Sequence, residues 1–274
     1  MKIDSFETKS YADLRMPDGR AYLFDLDGTL VQGNRVLPGA RELLEALASR
    51  GVPYAVITNN TALSRKDHAR RLKRLGLPVS EEQILTSAIA AAMALKHGPP
   101  VYLLGTPALA CELGRLGVDV AEEGAEAVLV GFDTTLSYER LRTAALLLEK
   151  GALFLATHPD PACPSDNGNL PDAGGILALL EKVTGRHPDM IFGKPNPSLL
   201  LAAASQMGLD AHECFFVGDR AEVDVPFAQQ AGAKAGLVLT GATPKEDPRI
   251  IGLRDQGVLV VEDLWTFRKH VLGF

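Results

Sequence analysis

The sequence predicts an α/β protein: a doubly wound parallel sheet into which a second, smaller α/β unit is inserted. Three observations predict it. Short apolar runs alternate with amphipathic helical stretches, the order that closes a parallel sheet between two helical layers. The pattern at the start of the chain returns near its end, on either side of a middle region with its own alternation. Residues able to do chemistry fall directly after the apolar runs, at the strand ends where such sheets bind ligands.

Residues 22–24 are the first strand, and residues 41–47 form an amphipathic helix closed by Gly51. Residues 54–57 are the next strand. Ser64 and Asp67 stand at the spacing of a capping box, so residues 65–74 are expected to be a helix with a solvated basic face. In the middle region, residues 101–104, 127–130 and 153–156 are strands, and helical stretches follow the first two. A loop rich in Pro, Asp, Asn and Gly spans 158–175 before the next helix. The chain then runs through strands at 190–192, 214–217, 236–239 and 258–261, with a helix ending before Gly232. The expected domains are residues 1–86 and 190–274 for the core and 87–189 for the insertion.

The chain has 274 residues, of which 46% are hydrophobic, enough for a sizeable core, and its formal net charge is −6. That charge argues against nucleic acid and anionic membrane as partners. Residues 2–7 lack the apolar stretch of a secretory leader, and no run approaches the ~18 apolar residues of a membrane span. Cys111, Cys163 and Cys214 are far apart and form no CxxC, which fits a reducing compartment; a cytoplasmic location is expected.

The chemistry lies in how the polar residues are placed. Asp25 and Asp27 follow the first strand, and Thr58-Asn59-Asn60 the second. Lys194, in Gly193-Lys194-Pro195, follows the strand at 190–192. Asp219 follows the strand at 214–217, with Asp224 five residues on. Alone, Asp27-Gly28 would be an ordinary turn signal. Four such strand ends should converge on one sheet edge. Asp25, Asp27, Asp219 and Asp224 would then share a small volume with Lys194. Two like charges 4 Å apart repel by about 4 kcal/mol at an effective dielectric of 20, so the cluster needs a divalent ion. Oxygen ligands suit Mg2+, and the scattered histidines do not suit zinc. Carboxylates, a hard cation, a lysine and a Thr-Asn strand end together suit phosphoryl transfer.

These motifs resemble those of the haloacid dehalogenase (HAD) superfamily. Residues 25–29, DLDGT, resemble its first motif and residues 57–60, ITNN, its second. Lys194 in GKPNP resembles the third, and residues 218–224, GDRAEVD, the fourth. The resemblance covers nearly the whole chain from about residue 20. It is strongest to the NagD-like, 4-nitrophenylphosphatase branch, supported by VGFDTTLSYERL at 130–141 and ATHPDPACPSDNGNLPDAG at 156–174. About 30 residues separate Asp27 from Thr58, too few for a large cap, whereas well over a hundred separate Asn60 from Lys194. The resemblance therefore implies a Rossmann-like, HAD-like core with an inserted class II cap of the A subtype.

It also implies roles. Asp25 is the nucleophile that becomes an aspartyl phosphate, and Asp27 the general acid and then base. Thr58, Asn59 and Lys194 hold the phosphoryl group, and Lys194 orients Asp25. Asp25, Asp219 and the backbone carbonyl of Asp27 bind Mg2+. Asp224 is implied to act at the metal, directly or through water; as ordinary structure it would cap the following helix. In the cap, His158, Asp160 and Asp172 are candidate substrate contacts; as ordinary structure they would be a turn before Pro161 and a helix start. The family commonly has Thr where Val223 stands, and often Asn where His158 stands. Dehalogenases of the superfamily lack an acid at the position of Asp27, so its presence implies a phosphatase.

The expected activity is Mg2+-dependent hydrolysis of small phosphomonoesters: nucleotide, sugar or glycerol phosphates, phosphoglycolate or 4-nitrophenyl phosphate. A phosphomutase of the same superfamily and a non-catalytic phosphometabolite sensor are the alternatives. The expected partner is the small-molecule ester, and the resemblance implies a homodimer through the cap.

Overall fold

The computed structural model describes residues 20–165 and 168–273. Residues 2–7, and residues 166–167 of the expected 158–175 loop, lie outside the described residues. The chain divides into two compact units. One gathers residues up to Ile57, Ala69–Ile84 and those from Leu200 onward; the other gathers Thr58–His68 and Leu85–Leu199. Residues 58–68, 85–86 and 190–199 thus group with the second unit. Their bonds explain the grouping. Thr61 Oγ1 accepts from the Phe132 backbone N–H at 3.0 Å, Arg65 Nε pairs with Glu112 at 2.5 Å, and Gly193 N donates to Thr157 O at 2.6 Å.

The chain begins with β1 (Ala21–Phe24), a hairpin of β2 (Val31–Gln32) and β3 (Arg35–Val36), and α1 (Ala40–Ser49). It continues through β4 (Tyr54–Thr58), α2 (Arg65–Arg74) and β5 (Ile84–Thr86). Next come α3 (Ser87–Leu95), β6 (Val101–Leu104), α4 (Pro107–Arg115), β7 (Ala127–Val130), α5 (Tyr138–Glu149) and β8 (Leu153–Ala156). A second hairpin, β9 (Ala162–Ser165) and β10 (Gly168–Pro171), precedes α6 (Ala173–Thr184) and β11 (Met190–Ile191). The last stretch holds α7 (Ser198–Gln206), β12 (Cys214–Gly218), α8 (Asp224–Ala231), β13 (Lys234–Val238), α9 (Arg249–Asp255), β14 (Leu259–Val261) and α10 (Leu264–Leu272).

The larger sheet has the order β14-β13-β12-β1-β4-β5. From β14 to β4 every neighbouring pair is parallel, with Phe24 opposite both Val217 and Val56. All four residues of β1 are buried, as expected of a strand with neighbours on both sides and both faces covered. Tyr22, Phe24 and Phe215 pack edge-on against Phe267 of α10, with ring centroids 5.3 to 6.4 Å apart. Asp263 starts α10 by accepting from the Thr266 backbone N–H at 2.8 Å, so one cap holds the helix that seals this cluster.

The second unit has a parallel sheet of order β11-β8-β7-β6. Val128, Val130, Phe154 and Ala156 form its core with Leu177 and Leu180 of α6. The expected loop at 158–175 holds the antiparallel pair β9–β10. Its strands read ACPS and GNLP and are largely exposed, so they carry no apolar alternation for a sequence reading to find. Among the described residues no helix is long and apolar enough to cross a membrane.

Candidate active site

In the first unit the site begins where β1 stops. The Asp25 N–H donates to Val217 O at 2.8 Å, extending the ladder to β12 by one residue and fixing the Asp25 backbone. The chain then turns sharply: Gly28 has φ +98° and its N–H donates to Val31 O at 2.7 Å. β12 delivers Asp219 in the same way. Asp219 Oδ2 accepts from the Ala242 N–H at 2.6 Å. Asp224, the first residue of α8, turns Oδ2 back to accept from the N–H groups of Asp219 and Arg220 at 3.1 and 3.0 Å.

The ligand atoms of Asp25, Asp219 and Asp224 lie within 4.8 Å of one another, and all three residues are buried. Two glycines make room for them. A Cβ on Gly28 would sit 2.4 Å from Asp219 Oδ2, and one on Gly241 only 1.9 Å from it. A third close approach occurs at Gly218, where a Cβ would meet the Asp224 carboxyl at 2.3 Å. An all-oxygen donor set, buried like charges and a glycine-walled cradle fit a hard dication.

The fourth expected acid stands apart from that group: Asp27 Oδ1 lies 3.6 Å from the Arg71 guanidinium. Arg71 also donates to Gly33 O in the β2–β3 turn. The basic stretch of α2 is therefore not wholly a solvated face, since His68 on the same helix is fully buried. Glu222, an added negative charge in the fourth motif, is paired at 3.0 Å with Arg249. Arg249 also pairs with Asp247 and holds its carboxyl down at about 2. Val223 is buried.

Thr58 ends β4, the strand parallel to β1, and its Oγ1 accepts from the Asn60 N–H at 3.0 Å. In the second unit, Asn59, Lys194 and Asp160 form a buried group. Asn59 Nδ2 donates to Asp160 Oδ2 at 2.9 Å and to Lys194 O at 3.1 Å, while Asn59 Oδ1 accepts from the Lys194 N–H at 2.9 Å. His158 and Asp172 form another group. The fully buried His158 ring meets Asp172 Oδ1 at 2.9 Å through Nε2 and Thr157 Oγ1 at 2.8 Å through Nδ1. Asp172 also caps α6 by accepting from the Ala173 N–H at 2.6 Å. Through these bonds both residues tie the 157–161 segment to the start of α6.

Sequence reading missed Gly241 and Arg71. Gly241 follows the run at 236–239, so the strand-end rule that found Asp219 applied to it as well. Arg71 had no such signal, because it was one basic residue among several.

A haloacid dehalogenase-like hydrolase family model matches residues 22–119, and a HAD-hydrolase-like model matches residues 191–267. The 5'-nucleotidase YutF of Bacillus subtilis is 34% identical over 83% of this chain and 90% of its own length. The crystal structure of a 4-nitrophenylphosphatase from Thermotoga maritima is 38% identical, with a TM-score of 0.83 over 91% of this chain and 96% of that one. A putative NagD protein of known structure is 36% identical, with a TM-score of 0.85 over 95% of this chain and all of that one. The chain belongs to the haloacid dehalogenase superfamily, as a phosphatase of its NagD-like, 4-nitrophenylphosphatase branch.

Proposed function

We propose that this chain is a Mg2+-dependent phosphomonoesterase that hydrolyses small phosphorylated metabolites through an aspartyl phosphate on Asp25. The observation that carries the reading is the buried trio Asp25, Asp219 and Asp224, with ligand atoms within 4.8 Å of one another. Asp25 and Asp219 would hold the ion, joined by the backbone carbonyl of Asp27. Asp224, whose Oδ2 is already taken by two backbone N–H groups, steadies the Asp219 loop. When bound, the ion neutralises charge on the phosphoryl oxygens.

The remaining chemistry belongs to the chain. An Asp25 carboxylate oxygen attacks phosphorus as the bond to the leaving oxygen breaks, and Asp27 gives that oxygen a proton. Asp27 then takes a proton from the water that attacks the aspartyl phosphate, so Asp25 is restored and inorganic phosphate leaves. The Thr58 hydroxyl, the Asn59 backbone N–H and the Lys194 ammonium hold the phosphoryl oxygens.

Residues 87–189 are read as the class II cap, which selects the substrate. The class is nucleotide, sugar or glycerol phosphates, phosphoglycolate and aryl phosphates. The names of the relatives, a 5'-nucleotidase and a 4-nitrophenylphosphatase, support it. A homodimer through the cap and a cytoplasmic location complete the reading; sedimentation tests the first.

The test is phosphate release from a panel of these esters with Mg2+ and with chelator. Release that needs Mg2+ and is abolished in Asp25→Asn is expected. Binding without release would make the protein a sensor, and isomerised product without net phosphate a phosphomutase.

A further inference from the structure

We propose that the side chains of Asn59 and Asp160 are positioning residues that set the main chain of Lys194, and that neither touches the substrate. The inference rests on the reading of Lys194 as catalytic.

A side-chain amide has two N–H donors and one carbonyl acceptor. On Asn59 both donors are in use, one on Asp160 Oδ2 at 2.9 Å and one on Lys194 O at 3.1 Å. Its carbonyl oxygen accepts from the Lys194 N–H at 2.9 Å. The amide thus grips both backbone groups of one residue, as an antiparallel neighbour would. No donor is left for a phosphoryl oxygen.

Asp160 decides which way the amide lies. A carboxylate only accepts, so it selects the Nδ2 end and leaves Oδ1 for the Lys194 N–H. Flipping the amide would oppose two acceptors at Asp160 and two donors at Lys194. Asp160 is itself held. Gly174 N donates to Asp160 O at 2.8 Å and Asp172 N to Pro161 O at 3.1 Å, with the His158–Asp172 pair alongside. Asn59 O accepts from Ser87 Oγ at 3.2 Å, which fixes the other end of the bracket.

The fit depends on Gly193. A Cβ there would sit 2.5 Å from Asn59 Oδ1 and 2.6 Å from Thr157 O. Asn59, Asp160 and Lys194 are each at least nine-tenths buried, so water cannot easily replace a lost bond. The bracket pins the Cα of Lys194 and so the root of a long, flexible side chain. Releasing it costs the reaction the precision of that charge.

The experiment compares Asn59→Ala, Asp160→Ala, Asp160→Asn and the Asn59→Ala/Asp160→Ala double variant of the full chain. It measures kcat and KM for 4-nitrophenyl phosphate, inhibition by inorganic phosphate, and NMR hydrogen exchange of the Lys194 amide. Both alanine variants should lower kcat by roughly 10- to 100-fold, the loss expected when a catalytic group shifts by about an ångström. KM and phosphate inhibition should stay within about threefold, because no phosphate contact is removed. Asp160→Asn keeps an acceptor and should recover most of kcat. The double variant should be no slower than the worse single one, since both cut one linkage. The Lys194 amide should exchange roughly tenfold faster or more in each alanine variant. A rise in KM and weaker phosphate inhibition at unchanged Lys194 exchange would overturn the proposal and make Asn59 a phosphate ligand. Additive losses would overturn it too. If the wild-type chain hydrolyses no ester, the catalytic reading of Lys194 falls, and the exchange measurement still decides the bracket.

Discussion

Replacing Asp219 by Asn should stabilise the protein in chelator and abolish its response to Mg2+. The ligand atoms of Asp25, Asp219 and Asp224 lie within 4.8 Å of one another in a buried site. At that separation two full charges repel by about 3.5 kcal/mol at an effective dielectric of 20. Asp219 therefore carries about 7 kcal/mol of repulsion from its two neighbours when no cation is bound. Asn has the same shape and keeps an acceptor for the Ala242 N–H, which lies 2.6 Å from Asp219 Oδ2. Weakening that charge-assisted bond costs about 1 kcal/mol. Backbone dipoles around the site offset much of the remainder, so a net gain of about 2 to 3 kcal/mol is expected, or about 3 to 5 °C in Tm for a chain of this size. The assay is calorimetric unfolding of both proteins in chelator and in Mg2+. Wild type should gain about 2.7 kcal/mol at a hundredfold excess of Mg2+ over its Kd, and Asp219→Asn almost nothing. A lower Tm for the variant in chelator, or an equal Mg2+ shift in both proteins, would refute the reasoning.

Asp27→Asn should slow alkyl esters far more than 4-nitrophenyl phosphate, whose leaving group needs no proton; equal slowing, measured as kcat/KM, would remove Asp27 from the role of acid. Gly241→Ala places a Cβ 1.9 Å from Asp219 Oδ2 and must displace it, so the Mg2+-dependent rise in Tm should shrink while overpacking costs about 1 to 3 kcal/mol, read by denaturant unfolding. Burial, helped by the nearby Glu213 charge, pushes the Cys214 thiol from 9.0 up to about 11. The folded state keeps the proton that the unfolded state gives up, so the Cys214 contribution is whole below pH 9.0 and is lost as pH rises to about 11. Cys214→Val should flatten the alkaline fall in unfolding free energy by about 2 to 3 kcal/mol across that window.

The parallel sheet was legible because a central strand such as β1 is covered on every side and reads as an unbroken apolar run. Asp25 and Asp219 were legible for a related reason: carboxylates directly after such runs have no structural role that requires them. The β9–β10 hairpin was not legible, since its exposed strands bury nothing that would pattern the sequence. That residues 58–68 group with the second unit was not legible, because they join it through long-range bonds such as Arg65 to Glu112.

The sequence by itself determined the chemistry: which acids, which lysine and which hydroxyl this chain carries, and which strands they follow. Those are local facts, written in residue type and spacing. Only the tertiary structure decided that Asp25, Asp219 and Asp224 share one buried volume while Asp27 faces Arg71. It also decided that Asn59 spends its amide on Lys194 and Asp160, and that His158 and Asp172 meet each other as well as Thr157 and the Ala173 N–H. A side chain's donors and acceptors are fixed by its type, but Asp172 lies 14 residues from His158 and Lys194 lies 135 from Asn59, and only folding brings those partners within hydrogen-bond distance.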